Sequence, residues 1–98
     1  MRTTYLVCYD VANTDSAGAR RLRRIAEACK DHGVRVQFSL FECQLEDRAW
    51  VTLRHRLLKE FDGEQDSLRF YFFGEDEARK TEHHGVRKPL DLLGPLVV

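Results

Sequence analysis

The spacing of hydrophobic residues changes along the chain, and each spacing predicts a different element. Tyr5–Tyr9 is a continuous apolar, β-prone run that stops at Asp10, which is typical of a largely buried first strand. Apolar residues then recur at helical spacing from Ala19 to Cys29, with capping side chains at 13–16 before them. Gly33 is placed to end this amphipathic helix.

After Gly33 the chain shows strand, helix and strand patterns again, without an internal sequence repeat. Val34–Leu45 alternates at period two, but its apolar set changes parity near Ser39, which predicts a bulge or a tight turn between two strands. A second helix begins at Glu46 and Asp47 and ends near Gly63. Its predicted buried face consists of Trp50, Leu53, Leu57 and Phe61. Ser67–Phe73 is the last clear strand.

The element order β-α-β-β-α-β is typical of an α+β, ferredoxin-like sheet with both helices on one face. We expect one domain over residues 1–98, with its core at about 4–73, because a 98-residue chain closes a single core.

The first strand and the last carry apolar side chains on both faces, so the second face of the sheet needs a cover. Residues 75–80 are a charge run and do not provide one. The sequence therefore predicts a face-to-face homodimer, with residues 74–98 contacting the partner and Leu96–Val98 forming an extra C-terminal strand on its sheet. The alternative is a tail that packs on its own domain.

Composition narrows the class of protein. No apolar run approaches the roughly 18 residues of a membrane span, and the first residues lack a signal peptide's apolar stretch, so we expect a soluble, cytoplasmic protein without a membrane partner. Three cysteines without C-x-x-C spacing predict small reduced core residues, and four scattered histidines do not indicate zinc.

Basic and acidic residues number sixteen each, but residues 1–35 hold seven Lys or Arg against four carboxylates. Four of these cations crowd about a turn and a half of the first helix, and one more begins the second strand: Arg20, Arg21, Arg23, Arg24 and Arg35. The pattern favours either a phosphate-binding stripe or an ordinary solvated helix face.

Asp10 is the first candidate for chemistry, because a carboxylate directly after a buried strand is held on a rigid element. It can cap the following turn or bind a metal. One carboxylate is a poor Mg²⁺ site, so a metal role for Asp10 requires two copies related by a two-fold axis. Ser39 and Phe41 flank the parity change and fit structural roles or a cleft lining, and no triad partners accompany Ser39.

Four ordered stretches of this chain resemble the CRISPR-associated protein 2 family, and together they span about residues 4–73. They are Tyr5–Val11, Arg23–Ala26, Gly33–Glu42 and Asp66–Tyr71. The resemblance implies a homodimer in CRISPR adaptation that bridges the CRISPR-associated protein 1 integrase and binds spacer DNA.

Many members of that family are Mg²⁺-dependent endonucleases acting on RNA or DNA, and Mn²⁺ is a plausible substitute. The resemblance implies that Asp10 binds the metal, and that Tyr9, Ser39, Phe41, Arg35 and either Arg23 or Arg24 serve activity or nucleic-acid binding. The other helix arginines are candidates for nucleic-acid contact from the stripe alone. Two alternatives remain open: a non-catalytic nucleic-acid-binding scaffold, and a ferredoxin-like toxin nuclease.

Overall fold

The computed structural model describes residues 2–12, 15–73 and 80–86. Its elements are the strands β1 (Thr3–Asp10), β2 (Val34–Gln37), β3 (Leu40–Leu45), β4 (Ser67–Phe73) and β5 (Lys80–Gly85), and the helices α1 (Ser16–His32) and α2 (Asp47–Glu60). In this part of the chain neither helix is long and apolar enough to cross a membrane.

The helix boundaries follow from local chemistry. Asp15 is the N-cap of α1, and its side chain accepts a hydrogen bond of 2.8 Å from the Gly18 backbone N–H. Gly33 ends α1 where the backbone passes close to β3, and a Cβ there would lie 2.5 Å from the Glu42 carbonyl oxygen. The predicted helix and its glycine stop are confirmed.

The five strands form one antiparallel sheet in the order β2-β3-β1-β4-β5. Phe38 and Ser39 form the turn between β2 and β3, and the register of β2 slips between Arg35 and Gln37. The parity change in the sequence therefore marks both a tight turn and a bulge. The predicted ferredoxin-like α+β fold is confirmed.

The core lies between the sheet and the two helices. Alternate residues of β1, namely Tyr5, Val7 and Tyr9, are buried on this side. The helices supply the rest of the layer, including Ile25, Ala28, Cys29, Trp50, Leu53 and Leu57. Three of the four residues predicted for the α2 face are buried, and Phe61 is partly buried at the helix end.

The opposite face of the sheet, which we call the open face, is formed by residues that lie side by side in the strand register. Leu6 pairs with Tyr71, Cys8 pairs with Leu40 and Arg69, and Thr4 pairs with Phe73. Paired residues point to the same side of a sheet. The open face is thus mixed: Leu6, Cys8, Leu40, Tyr71 and Phe73 form an apolar group, but Glu42 pairs with Leu6 and Gln44 pairs with Thr4 on the same side. The sequence prediction of apolar residues on the second face is met only by this group.

β5 is an element that the hydrophobic pattern did not reveal. It lies inside the 74–98 extension and pairs with β4 of its own chain. Its docking rests on polar contacts: Arg54 of α2 donates hydrogen bonds of 3.1 and 2.5 Å to Glu82, which also contacts His84. The strand predicted at Leu96–Val98 lies outside the described residues.

Candidate nucleic-acid and metal site at the end of the first strand

A cleft of about 540 Å³ opens where β1 ends, between the start of α1 and the β2–β3 turn. It collects five of the residues that the sequence singled out: Tyr9, Asp10, Arg23, Arg35 and Ser39. Asp10 is the last residue of β1 and is exposed to solvent. By strand alternation its side chain belongs to the open face, next to Cys8.

Tyr9 is buried on the other side of the strand from Asp10, with 5% of its surface exposed. Its hydroxyl donates a hydrogen bond of 3.3 Å to the Phe38 carbonyl oxygen, and its backbone N–H donates one of 3.1 Å to the Ser39 carbonyl oxygen. Burial raises the pKa of this hydroxyl, against the effect of nearby Arg35. Tyr9 therefore stays protonated and ties the β2–β3 turn to the end of β1.

The five predicted phosphate-binding arginines do not act as one group. Arg23 and Arg35 line the cleft, and the Arg35 guanidinium lies 5.1 Å from the centre of the Phe41 ring. Arg20 is exposed on α1 outside the cleft lining, and Arg24 lies 3.5 Å from Glu60 in a partly exposed ion pair. The cleft is thus lined by two of the five predicted arginines.

Arg21 has a structural partner that the sequence did not reveal. Its Nε and one Nη donate hydrogen bonds of 2.8 and 3.2 Å to Asp66, which is fully buried, and the same Nη reaches the Ala12 carbonyl oxygen. The Asp66 carboxylate also accepts hydrogen bonds from the backbone N–H groups of Ala12 and Asp62. This cluster, the Asp66 hub, fixes the loop after Asp10 against α1 and β4.

The position of Asp66 directly before a strand does not indicate in the sequence that its carboxylate is buried and accepts several hydrogen bonds. The only sequence signal was that Asp66 begins one of the stretches that carry the family resemblance. Arg21 falls among the other arginines of α1, and helical spacing alone does not separate a cation that faces solvent from one that reaches a buried partner.

Phe41 and Ser39 are positioned differently from each other. Phe41 is fully buried, and its ring packs against Tyr9 with 6.2 Å between centroids. It therefore supports the cleft from beneath. Ser39 lies in the turn and lines the cleft.

Cys29 and Cys43 are buried, as the sequence predicted for core residues, whereas Cys8 lies on the open face and is only partly buried. None of the three is a nucleophile of the site. Desolvation by burial raises the pKa of Cys8 to about 11, of Cys29 to about 12 and of Cys43 to about 11. All three are free of disulfides, in agreement with the sequence prediction. They are protonated at neutral pH.

One chain supplies little to hold a metal. Within residues 2–12, 15–73 and 80–86, no three His, Cys, Asp or Glu side chains come together as a metal site. Asp10 nevertheless has the oxygen donors that Mg²⁺ takes, at an exposed strand end beside the open face. The donor set fits a divalent cation when a second Asp10 is brought to it.

The open face next to Asp10 carries an arginine that is 9% exposed. Arg69 donates a hydrogen bond of 2.9 Å to the Tyr71 hydroxyl, and its guanidinium lies 5.2 Å from the centre of that ring. The two side chains form a flat polar patch among the apolar residues of this face.

Comparison with known proteins identifies relatives over most of the chain. The family model for "CRISPR associated protein Cas2" matches residues 2–81. A CRISPR-associated endoribonuclease Cas2 of Nitratidesulfovibrio vulgaris is 50% identical over 93 residues, covering 95% of this chain and 91% of the relative. The protein of the same name from Chlorobaculum tepidum is 52% identical, covering 95% and 97%.

A crystal structure of Streptococcus pyogenes Cas2 superposes on this chain with a TM-score of 0.67 at 44% identity. The match covers 74% of this chain and 88% of the other. The resemblance that four sequence stretches carried therefore extends to the three-dimensional fold.

Proposed function

Because the chain belongs to the Cas2 family of CRISPR-associated proteins, we propose that it is a nuclease of CRISPR adaptation that hydrolyses phosphodiester bonds in RNA or DNA. Two curated relatives carry the name endoribonuclease. The observation that carries the proposal is Asp10, an exposed carboxylate at the end of a rigid strand, in a cleft that also holds two arginines.

The active form is a homodimer whose open faces pack against each other. This face bears Leu6, Leu40 and Phe73 within one sheet, and both helices of the described residues pack on the other side. Burial of these side chains is favourable by about 25 cal/mol per Å² of apolar surface. Asp10 lies on the same side of β1, so a two-fold axis through this face brings two Asp10 carboxylates toward each other.

The paired Asp10 carboxylates would hold one Mg²⁺ or Mn²⁺ ion, since hard cations take carboxylate oxygens and keep several waters. Such an ion, when bound, would lower the pKa of a coordinated water and neutralise charge on the phosphate. Arg23 and Arg35 hold the flanking phosphates, and the protonated Tyr9 keeps the turn in place beside them. The substrate is thus oriented by groups on α1, β1 and β2.

In the cell the dimer bridges the CRISPR-associated protein 1 integrase and binds the duplex captured as a spacer. Binding of phosphates by arginine is independent of sequence, which suits capture of arbitrary DNA.

The decisive experiment compares Asp10→Asn with wild type for cleavage of single-stranded RNA and duplex DNA, with and without Mg²⁺ or Mn²⁺. We expect cleavage to require the metal and to fall by at least a hundredfold in the variant. Asp31→Asn is the matched control, because Asp31 is an exposed carboxylate on α1 that pairs with Arg56.

Full activity in pure Asp10→Asn protein would refute the catalytic role. Salt-dependent binding of duplex without cleavage in either metal would instead identify a non-catalytic scaffold. Sedimentation of Leu6→Arg protein tests the dimer, since a charge on the open face should produce monomers.

A further inference from the structure

Phe38 is the most exposed large apolar side chain in the described residues, with 91% of its surface open to solvent. It occupies the tip of the β2–β3 turn and does not contribute to the core cluster. A single exposed apolar residue is ordinary on a protein surface, but an exposed aromatic ring also has a flat face on which a base can stack.

The ring is presented on a fixed support. Tyr9 donates one hydrogen bond to the Phe38 carbonyl oxygen and another to the Ser39 carbonyl oxygen, and Tyr9 itself packs against the buried Phe41. Two bonds from the end of β1 therefore hold the tip of the turn. The position of Phe38 relative to Asp10 is set by the core, so little ordering is needed when a ligand binds.

Phe38 lines the same cleft as Asp10, Arg23 and Arg35. Cations that follow a phosphate backbone, together with an aromatic ring at their edge, are the typical arrangement for binding single-stranded nucleic acid. A base paired inside a duplex is already stacked on both sides. Only an unpaired base, in a single strand or at a frayed end, can present its flat face to this ring.

We propose that Phe38 is a stacking platform for an unpaired nucleobase of the strand whose phosphates contact Arg23 and Arg35. The inference rests on the proposed nucleic-acid-binding function and specifies its ligand: a strand with at least one unpaired base beside Asp10. It follows that the protein distinguishes an unpaired strand from a duplex by a ring contact that does not depend on charge.

The test measures binding of a single-stranded oligonucleotide of about twelve nucleotides that contains the fluorescent base 2-aminopurine, and of the matching blunt duplex. We expect Phe38→Leu to weaken single-strand binding about tenfold and to lose the quenching of 2-aminopurine that stacking causes. Phe38→Tyr, which keeps the ring, should behave as wild type. Duplex affinity should change less than about twofold, because its phosphate contacts remain.

Val51→Ala on α2 is the control for removal of an exposed apolar side chain, since Val51 is 64% exposed and is not among the residues that line the cleft. Wild-type single-strand affinity in Phe38→Leu would overturn the inference. An equal loss for single strand and duplex would do the same, and so would a change of oligomeric state in sedimentation, which would show that Phe38 packs on a second copy.

Failure of the underlying function gives a different result. If Arg23→Ala, Arg35→Ala protein bound both ligands as tightly as wild type and with the same salt dependence, the cleft would not be the nucleic-acid site. A specific loss of single-strand binding in Phe38→Leu, with the arginine-dependent salt effect intact, is the outcome that supports the stacking platform.

Discussion

Replacing Asp66 by Ala tests the Asp66 hub, the cluster that holds the loop following Asp10. Asp66 is fully buried, and its two carboxylate oxygens accept four hydrogen bonds, two from Arg21 and one each from the backbone N–H groups of Ala12 and Asp62. The substitution leaves both backbone donors without their acceptor, and leaves Arg21 beside a cavity.

The expected loss follows from these contacts. Each of the two buried backbone donors left without a partner costs about 1–3 kcal/mol, whereas Arg21, whose side chain is partly exposed, can turn to solvent. Because the contributions overlap, we expect Asp66→Ala to lower the free energy of unfolding by about 3–5 kcal/mol. The free energy of unfolding of a small domain is about 5–15 kcal/mol in total, so the variant should be only marginally stable.

Urea unfolding, followed by Trp50 fluorescence at one fixed protein concentration, measures this change. Trp50 is buried and stacks on Tyr5 with 4.1 Å between ring centroids, so unfolding should alter its emission. Asp31→Ala is the control, since Asp31 forms an ion pair with Arg56 at the surface, where side-chain pairs contribute little.

Asp66→Asn should lose less than Asp66→Ala, because the amide keeps one acceptor for a backbone N–H. If Asp66→Ala were no less stable than Asp31→Ala, the hub would not stabilise the fold and the reasoning would be refuted.

Three further predictions concern β5 and the thiols. Burial raises the pKa of Glu82, but hydrogen bonds from Arg54 and a neighbouring histidine outweigh burial and hold this pKa below its usual value. The ionised Glu82 therefore stabilises the folded state, and this contribution is lost as pH falls below about 4.3. Melting temperatures should accordingly drop more steeply on acidification in wild type than in Glu82→Gln. Gly85→Ala should lower the free energy of unfolding in urea by about 1–2 kcal/mol or more, because Gly85 has a φ of +108° and a Cβ there would collide with the Asp66 carbonyl oxygen. Gly63→Ala is the control, since a Cβ at Gly63 makes only ordinary van der Waals contact. The buried Cys29 and Cys43 thiols, with raised pKa values, should react with a thiol reagent at pH 7.5 only after unfolding; rapid labelling of either one in native protein would contradict their burial.

Much of the fold follows from the sequence because β1, β3, β4 and both helices bury regular faces, whereas all four residues of β2 are exposed. Tyr5, Val7 and Tyr9 alternate along one strand, and Trp50 and Leu53 recur at helical spacing on another element. In each case the local period and the tertiary burial agree, so the pattern alone was sufficient.

β5 could not be predicted in this way. Its sequence, Lys80–Gly85, has no apolar alternation, and it is held by backbone pairing with β4 and by the contact between Arg54 and Glu82. Both interactions depend on where distant parts of the chain lie. Tertiary context therefore determines this strand, and propensity does not.

The candidate site was predicted in part, for a similar reason. Asp10 and Arg35 were identifiable because Asp10 ends a strand with a clear pattern and Arg35 lies near the start of another. The different roles of the helix arginines could not be predicted, because the role of Arg21 depends on a carboxylate 45 residues away. Phe38 fitted the alternating pattern of a strand, and only its 91% exposure distinguishes it from a core residue.

The brevity of β2 has a consequence for how copies of this protein avoid polymerising. Within the described residues β2 is the outer strand on its side of the sheet, only four residues long, with its register interrupted between Arg35 and Gln37. This edge offers only a short, irregular row of unpaired backbone N–H and C=O groups for pairing with a strand of another molecule. Fibre growth by strand addition at this edge of the sheet is therefore disfavoured.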